Sequence, residues 1–172
     1  NLYIADSDNQ RVMQYQYGSS MGNVTAGGNG YGLSTSQLSS PHGLYFDIFS
    51  NSLVICNYNM PRVVWWRIGD NNGTIVAGSF TDVIGNDPTC LNSPVGMNLD
   101  PMGNIYVADA GNHRIQFFLS GQSVGRTIAD ITDVYGTNMT QLYLPYWVAL
   151  DNQLNLYVCD VNNHRVQMFK RY

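Results

Sequence analysis

The sequence predicts an all-β fold, a segment of β-propeller with about three and a half four-stranded blades. Three observations predict it: an internal repeat of 51 or 52 residues, four short apolar runs in each repeat, and turn-forming residues between the runs. Runs of four to seven residues rich in Val, Ile, Tyr and Leu are too short for helices and typical of strands. With 172 residues, 44% hydrophobic and 12% charged, the chain is long and apolar enough for a sizeable core.

The repeat is clearest in a segment that occurs four times. It reads NLYIADSDNQRVMQY from Asn1, SLVICNYNMPRVVWW from Ser52, NIYVADAGNHRIQFF from Asn104 and NLYVCDVNNHRVQMF from Asn155. Each copy holds two predicted strands, b and c, joined by a short turn. Strand b is apolar on both faces, which indicates a central strand covered by a neighbouring blade on each side.

Two further segments recur in register and supply strands a and d. Strand a is PHGLYFD from Pro41, PVGMNLD from Pro94 and PYWVALD from Pro145, and strand d is GNVTAGG from Gly22, GTIVAGS from Gly73 and the weaker GRTIADI from Gly125. A proline is tolerated at the start of strand a, because the first residue of a strand need not donate to the ladder. The predicted strand order is bcd-abcd-abcd-abc. Residues 1–172 then form one propeller segment of a larger array or assembly, with blades at about 1–40, 41–93, 94–144 and 145–172.

The pattern resembles NHL repeats, which are named for Asn-His-Leu. The nearly identical NHR occurs at residues 112–114 and 163–165, and four copies agree in order, spacing and residue type. The resemblance covers nearly the whole chain. The recurring segments are similar to those in the NHL arrays of large secreted invertebrate proteins. It implies a propeller that closes with about four to eight blades. Peptide-amidating lyases have an NHL-like propeller with a central zinc site, but that likeness is one of fold, and fold does not carry function.

A polar pair recurs at the b–c turn, where an arginine follows an Asp or Asn by five residues. The pairs are Asp6 with Arg11, Asn57 with Arg62, Asp109 with Arg114, and Asp160 with Arg165. We expect them to pin the turn and its register. The alternative is a ring of charges that binds a ligand, which is disfavoured because a ligand site need not repeat in every blade. Asn57 cannot form an ion pair, and Pro61 is expected to stiffen that turn instead.

Charge and motif content argue against several function classes. The net charge is −4 and four of the eight basic residues belong to the repeated pairs, so no basic stripe remains for nucleic acid. No apolar run approaches the roughly 18 residues of a membrane span. His113 and His164 are equivalent positions one blade apart, and His42 lies elsewhere in its blade, so they are not expected to share a zinc ion. The sequence therefore predicts no catalytic residues, no metal, no cofactor and no enzymatic activity.

The cysteines and the N-glycosylation sequons indicate a secreted protein. Cys56 ends strand b of one blade and Cys90 precedes strand a of the next, on the same propeller face, so a disulfide between them is predicted. By the same logic Cys159 is expected to be free or bonded to a partner outside the chain. The alternative for Cys56 and Cys90 is two unrelated buried thiols. Three sequons begin at Asn23, Asn72 and Asn138, at positions expected to be accessible and to carry N-linked glycans. A cytosolic origin, in which the sequons have no role, is the alternative.

The predicted function is that of a non-enzymatic extracellular scaffold unit. Two incomplete end blades expose apolar faces and open edges, which soluble proteins avoid. Because each blade packs its front on its neighbour's back, the predicted partners are further blades of the array or other copies of the chain, in a ring or a head-to-tail filament. The alternatives are a protein- or ligand-binding propeller domain of a larger secreted protein and, less favoured, a lyase-type enzyme.

Overall fold

The computed structural model describes residues 1–129 and 134–171, which form four antiparallel sheets arranged side by side as blades. Sheet I contains β1 (Leu2–Asp6), β2 (Arg11–Tyr15) and β3 (Gly22–Gly27). Sheet II contains β4 (Pro41–Asp47), β5 (Ser52–Asn57), β6 (Arg62–Arg67) and β7 (Thr74–Gly78). Sheet III contains β8 (Pro94–Leu99), β9 (Ile105–Asp109), β10 (Arg114–Phe118) and β11 (Arg126–Ala129). Sheet IV contains β12 (Pro145–Leu150), β13 (Leu156–Asp160) and β14 (Arg165–Phe169).

This architecture confirms the predicted all-β fold, a partial propeller with strands in the order bcd-abcd-abcd-abc. The last part of the weaker d-strand motif, from Gly125, falls on residues 130–133, which lie outside the described residues. Three short 3-10 turns at Ser7–Asn9, Ala110–Asn112 and Val161–Asn163 join strands b and c. Among the described residues, no helix has the length and apolar character needed to cross a membrane.

Each sheet is a meander in which neighbouring strands pair in sequence order. The polar pairs of the sequence analysis lie directly opposite each other at one end of the b–c ladder, at Asp6 and Arg11, Asn57 and Arg62, Asp109 and Arg114, and Asp160 and Arg165. All four b–c turns therefore lie at the same end of the sheets, and the a–b turns lie at the other.

Three apolar layers fill the spaces between the four sheets. Val54 and Cys56 from sheet II, for example, pack with Met97 and Val107 from sheet III. Every residue of β5 is buried, because both of its faces are covered by neighbouring sheets. This explains why strand b is apolar at consecutive positions, as the sequence indicated.

A leucine from each connecting loop is inserted into these layers. Leu38, Leu91 and Leu142 precede strand a of sheets II, III and IV and are completely buried. Each lies in a cluster with residues of the sheet before it and of the sheet after it, as Leu142 does with Ala129 and Val148. The loops between sheets are therefore part of the core.

Strand a of sheets II and III has a glycine at a position where the next sheet approaches closely. A Cβ atom on Gly43 would lie 2.5 Å from the carbonyl oxygen of Val95 and 3.2 Å from the Cα of Gly96. A Cβ on Gly96 would similarly lie 2.5 Å from the carbonyl oxygen of Tyr146 and 2.6 Å from the indole of Trp147. Trp147 takes the place of these glycines in sheet IV, so the repeat is broken there.

We predict that Gly43→Ala separates sheets II and III and lowers the free energy of unfolding by about 1–3 kcal/mol, a typical effect of overpacking. The added methyl group meets main-chain atoms, which cannot rotate away. Urea denaturation measures the change. Gly85→Ala is the control, because its nearest neighbour is the Cys90 side chain at 3.3 Å. Equal stability of the two variants would show that the close approach does not limit sheet packing.

Candidate functional site

The b–c turn of sheet III binds the loop that leads into the same sheet. The Arg114 side chain is buried, and its Nε donates to Oδ2 of Asp109 at 2.7 Å. Its terminal nitrogens donate to the main-chain carbonyl oxygens of Asn86 at 2.7 Å, Asp87 at 3.1 Å and Cys90 at 3.0 Å. One guanidinium therefore holds a carboxylate and three carbonyl groups of an irregular loop.

Asp109 and Asn112 complete this arrangement. Oδ1 of Asp109 accepts a hydrogen bond from the main-chain N–H of Asn92 at 2.6 Å, and Oδ2 accepts one from Asn112 Nδ2 at 2.8 Å. The same Nδ2 donates to the carbonyl oxygen of Gly85 at 2.8 Å. Burial raises the pKa of Asp109, and the Arg114 charge and these hydrogen bonds oppose that rise. We call the Asp, Asn and Arg of this turn the loop anchor.

Sheet IV has the same loop anchor, formed by Asp160, Asn163 and Arg165. Arg165 Nε donates to Asp160 at 2.8 Å. The carbonyl groups that Arg165 and Asn163 bind lie in the loop before β12, at Thr137, Asn138 and Gln141 for the arginine and Gly136 for the asparagine. Asp160 accepts the main-chain N–H of Tyr143 at 2.6 Å. The same three residue types thus bind the same kind of loop in sheets III and IV.

Sheet II keeps the arginine but has an amide in place of the carboxylate. Arg62 is only 1% exposed and donates to loop carbonyl groups, which belong to Gly32, Leu33, Ser34 and Gln37. Asn57 Oδ1 accepts the Ser39 N–H at 3.1 Å. Within the described residues, Arg62 Nε and Asn57 Nδ2 have no hydrogen-bond partner. Burial lowers the pKa of Arg62, in keeping with this less complete arrangement.

The loop anchor of sheet I has a partly exposed carboxylate, whereas the carboxylates of sheets III and IV are buried and Arg165 is 28% exposed. Arg11 Nε donates to Asp6 at 2.7 Å, and Asn9 Nδ2 donates to Asp6 Oδ1 at 2.9 Å. The Arg11 and Asp6 side chains are 34% and 26% exposed, against 2% and 0% for Arg114 and Asp109. Hydrogen bonds from Arg11 and Asn9 lower the pKa of Asp6. In the part of the chain that the structure describes, these three side chains hydrogen-bond only to one another.

A second contact links the b–c turn to the next sheet along the chain. Gln10 and His113 follow the 3-10 turns in left-handed conformation, with φ of 55° and 57°. Gln10 Oε1 accepts the N–H of Ser40 at 2.6 Å, and His113 Nδ1 accepts the N–H of Leu144 at 3.2 Å. The acceptor role of His113 Nδ1 places its proton on Nε2. His164 has the same backbone conformation, with φ of 51°, and is exposed.

The chemistry of the loop anchors is recognition of main-chain groups, not catalysis. The sequence predicted that the pairs hold the turn, but it did not reveal that Arg62, Arg114 and Arg165 also bind a loop. The bound carbonyls lie 24 to 28 residues before Arg114, and no residue type marks them. The leucine that recurs in each loop is the sequence feature that could have indicated that these loops are held against the sheets.

The histidines lie in separate environments. His42 Nδ1 is 2.9 Å from the Ser40 carbonyl oxygen, and its ring stands 4.9 Å from that of Tyr58. His113 packs against Tyr135 and Tyr143. Within residues 1–129 and 134–171, no three His, Cys, Asp or Glu side chains are grouped to hold a metal ion.

The predicted Cys56–Cys90 disulfide is not formed in the structure, in which both residues are buried free thiols. Cys56 lies in the apolar layer with Val63 and Ala77, whereas the Cys90 sulfur lies 3.9 Å from Thr89 Oγ1. Burial raises the pKa of Cys56, which disfavours the thiolate required for disulfide exchange. Cys159 is also a free thiol and is exposed.

All three sequon asparagines are exposed. Asn23 lies within β3, and Asn72 precedes β7, where its Oδ1 accepts a hydrogen bond from Thr35 at 3.2 Å. Asn138 lies in the loop held by Arg165, which binds its main-chain oxygen and leaves its side chain exposed. Glycan attachment at these positions stays a prediction.

Comparison with known proteins agrees with this architecture. The family model described as NHL repeat matches residues 91–118 and 147–169, which hold a loop anchor each. Among curated proteins, none matches the sequence. A crystal structure of a protein of unknown function from Bacteroides thetaiotaomicron is similar, with a TM-score of 0.78 and 16% identity over 98% of this chain and 44% of the other.

Two other solved structures share the fold. An auxiliary nutrient binding protein from Bacteroides thetaiotaomicron has a TM-score of 0.72 and 15% identity, over 95% of this chain and 43% of the other. A streptogramin B lyase has a TM-score of 0.62 and 11% identity, over 98% of this chain and 47% of the other. The chain therefore spans less than half the length of each similar structure, and identities this low show the fold alone.

We predict that Arg114→Met lowers the free energy of unfolding by about 3–5 kcal/mol, because it leaves a buried carboxylate and loop carbonyls unpaired. Arg11→Met is the matched control in the exposed anchor and should have a much smaller effect. Urea denaturation of both variants measures the difference. Similar losses would contradict the view that loop binding, and not the Asp–Arg pair alone, is the stabilising interaction.

We further predict that the chain, when secreted from eukaryotic cells, loses mass on enzymatic removal of N-linked glycans. Replacing Asn23, Asn72 or Asn138 individually by Gln should remove one glycan each, because all three side chains are exposed. Mass spectrometry before and after the enzyme counts the occupied sites. An unchanged mass of the wild-type chain would refute the glycosylation prediction.

Proposed function

We propose that this chain, which is an NHL-repeat propeller segment, functions without catalysis as a structural unit whose first and last sheets bind further NHL blades. The exposed, solvent-facing anchor and apolar surface of sheet I are the main support. We also propose that the unit is extracellular, which the three exposed sequons support.

The outer surface of sheet I carries the observation on which the proposal depends. Leu2 and Ile4 of β1 occupy the positions of Leu53 and Ile55 of β5 in the repeat. Leu53 and Ile55 are completely buried by sheet I, whereas Leu2 and Ile4 are 60% and 41% exposed. Large apolar side chains that are buried at equivalent positions elsewhere in the molecule indicate a surface made to be covered.

The outer surface of sheet IV is its counterpart. Val166 of β14 is 67% exposed, although the equivalent Val63 and Ile115 are completely buried by the next sheet. Cys159 is exposed where Cys56 and Ala108 are buried. The two outer surfaces are thus opposite halves of the contact that joins sheets I to II, II to III and III to IV.

The loop anchor of sheet I indicates the chemistry of the partner. Three of the four anchors bind an irregular loop through its carbonyl groups, and the loop also inserts a leucine between sheets. Asp6, Asn9 and Arg11 offer the same groups in the same geometry on the surface beside Leu2 and Ile4. The partner that fits is therefore an NHL blade together with the loop that follows it, from a second copy of the chain or from another part of the same array.

We predict that the purified chain associates head to tail in a concentration-dependent way. Ile4→Asp should block the outer surface of sheet I, and Val166→Asp should block that of sheet IV, because each places a charge in an apolar contact. Light scattering after size exclusion should then show a lower mean mass for either variant than for the wild type. Ile48→Asp is the control, because Ile48 is 73% exposed and lies in an a–b turn away from both surfaces.

Mixing the two blocked variants sharpens the test. Each retains one intact surface, so a mixture of Ile4→Asp and Val166→Asp chains should form a dimer and nothing larger. A face-to-face association would instead leave one of the variants dimeric by itself. A wild-type chain that remains monomeric at its highest soluble concentration would count against association between copies.

A further inference from the structure

A groove of about 250 Å³ lies between sheets III and IV, at the end of the sheets opposite the loop anchors. Its walls are apolar and partly aromatic. They are formed by Tyr106, Phe117 and Ile128 of sheet III and by Leu154, Leu156 and Phe169 of sheet IV. The rings of Tyr106 and Phe117 meet edge to face, with centroids 4.9 Å apart. A cleft of this size and lining is suited to the body of a small organic molecule.

The rim of the groove is positively charged, which is unusual for this chain. Arg126, Lys170 and Arg171 line it, and Asp100 is the one acidic side chain among its described lining residues, so the local formal charge is 3 − 1 = +2. The chain as a whole has eight Lys and Arg residues and a net charge of −4. Four of the eight belong to the b–c turns, and three of the remaining four lie here, so Arg67 alone is placed elsewhere.

Asp100 offsets only part of this charge, and its oxygens accept hydrogen bonds from its own turn. Oδ1 accepts main-chain hydrogen bonds from Met102 and Asn104, at 2.9 and 3.0 Å, and Oδ2 accepts one from Asn104 Nδ2 at 2.8 Å. Burial, followed by the charge of Asp100, raises the pKa of Tyr106, so the phenol stays neutral and adds no negative charge.

Arg126, Lys170 and Arg171 form no ion pair with a carboxylate in the part of the chain that the structure describes. Across residues 1–129 and 134–171, the only ion pairs are those of Arg11, Arg114 and Arg165. The Arg126 guanidinium lies over the Phe117 ring, 5.9 Å from its centroid, and so stands beside the apolar wall. Among the described residues no carboxylate pairs with Arg126, so its donors can bind an anion at the rim.

A second groove between sheets II and III provides an internal comparison. It lies at the same end of the sheets and is also partly aromatic, with Tyr45 and Trp65 in its wall. Its charged lining residues are Asp47 and Asp100, without a basic residue. The positive charge of the first groove is therefore not a requirement of the fold, because such a requirement would recur in each repeat.

We propose that the groove between sheets III and IV binds a small organic anion, in which a phosphate or carboxylate group is attached to a flat apolar ring. The ring packs between the walls at Phe117 and Phe169, and the anionic group is bound by Arg126, Lys170 and Arg171 at the rim. Arginine donors form strong charge-assisted hydrogen bonds with both kinds of anion. This site is independent of the association of end sheets.

The test uses phenyl phosphate and benzoate as probes, with benzyl alcohol and inorganic phosphate as controls for the ring and the charge alone. Titrations followed by amide chemical shifts should show each aromatic anion binding about tenfold or more tightly than either control, with shifts around Phe117 and Phe169. Arg126→Gln should weaken phenyl phosphate binding about tenfold or more, because it removes a charge-assisted contact. Arg67→Gln, at an exposed arginine outside both the anchors and the groove, should leave binding unchanged.

Several results would overturn the proposal. Inorganic phosphate that binds as tightly as phenyl phosphate would reduce the site to a basic patch, and benzyl alcohol that binds as tightly would make the charge irrelevant. Equal affinity in the Arg126→Gln and Arg67→Gln variants would exclude Arg126 from the site. Shifts confined to the outer surfaces of sheets I and IV would locate binding elsewhere. Ile4→Asp chains, in which association is blocked, should bind the probes as the wild type does, so the two proposals fail separately.

Discussion

The hydrogen bonds between an arginine of the b–c turn and the carbonyl groups of a loop underlie the packing of this molecule. Connecting segments normally run over the surface, because buried carbonyl and N–H groups need partners that an irregular loop lacks. Arg62, Arg114 and Arg165 supply those partners, up to four carbonyl groups in a single site. With its polar groups satisfied, each loop can place Leu38, Leu91 or Leu142 between two sheets, and the sheets are joined through that leucine.

The anchors also show how one motif has different energetic roles at different places. In sheet III the Asp109–Arg114 pair is removed from water, and hydrogen bonds with the loop and with Asn112 compensate for its desolvation. In sheet I the same residue types are partly exposed, and such a pair contributes little by itself. In sheet II an amide replaces the carboxylate, and loop carbonyl groups hold the arginine without an ion pair.

Repetition separates the structural residues of this chain from its candidate functional ones. Residues that agree in all copies, such as the anchor arginines and the loop leucines, serve packing, because every blade has the same packing problem. Residues that differ between the copies are not required for this packing. Arg126, Lys170 and Arg171 are of this kind, and they line one groove at the end of the sheets that the anchors do not use. The fold thus leaves one end of the propeller open to variation.

The sequence by itself determined the strands, their order and the position of every b–c turn. Short apolar runs separated by turn residues are local signals, and four copies repeat them. It also identified each Asp–Arg or Asn–Arg pair, since five residues across a tight turn leave little choice of geometry. Only the tertiary structure showed that Arg114 binds carbonyls 24 and 28 residues away, that Cys56 and Cys90 are in separate environments, and that Arg126 and Arg171 meet at one groove. Contacts of this kind depend on how whole sheets pack. Because every residue has a main-chain carbonyl group, the sequence cannot indicate which carbonyl groups an arginine binds.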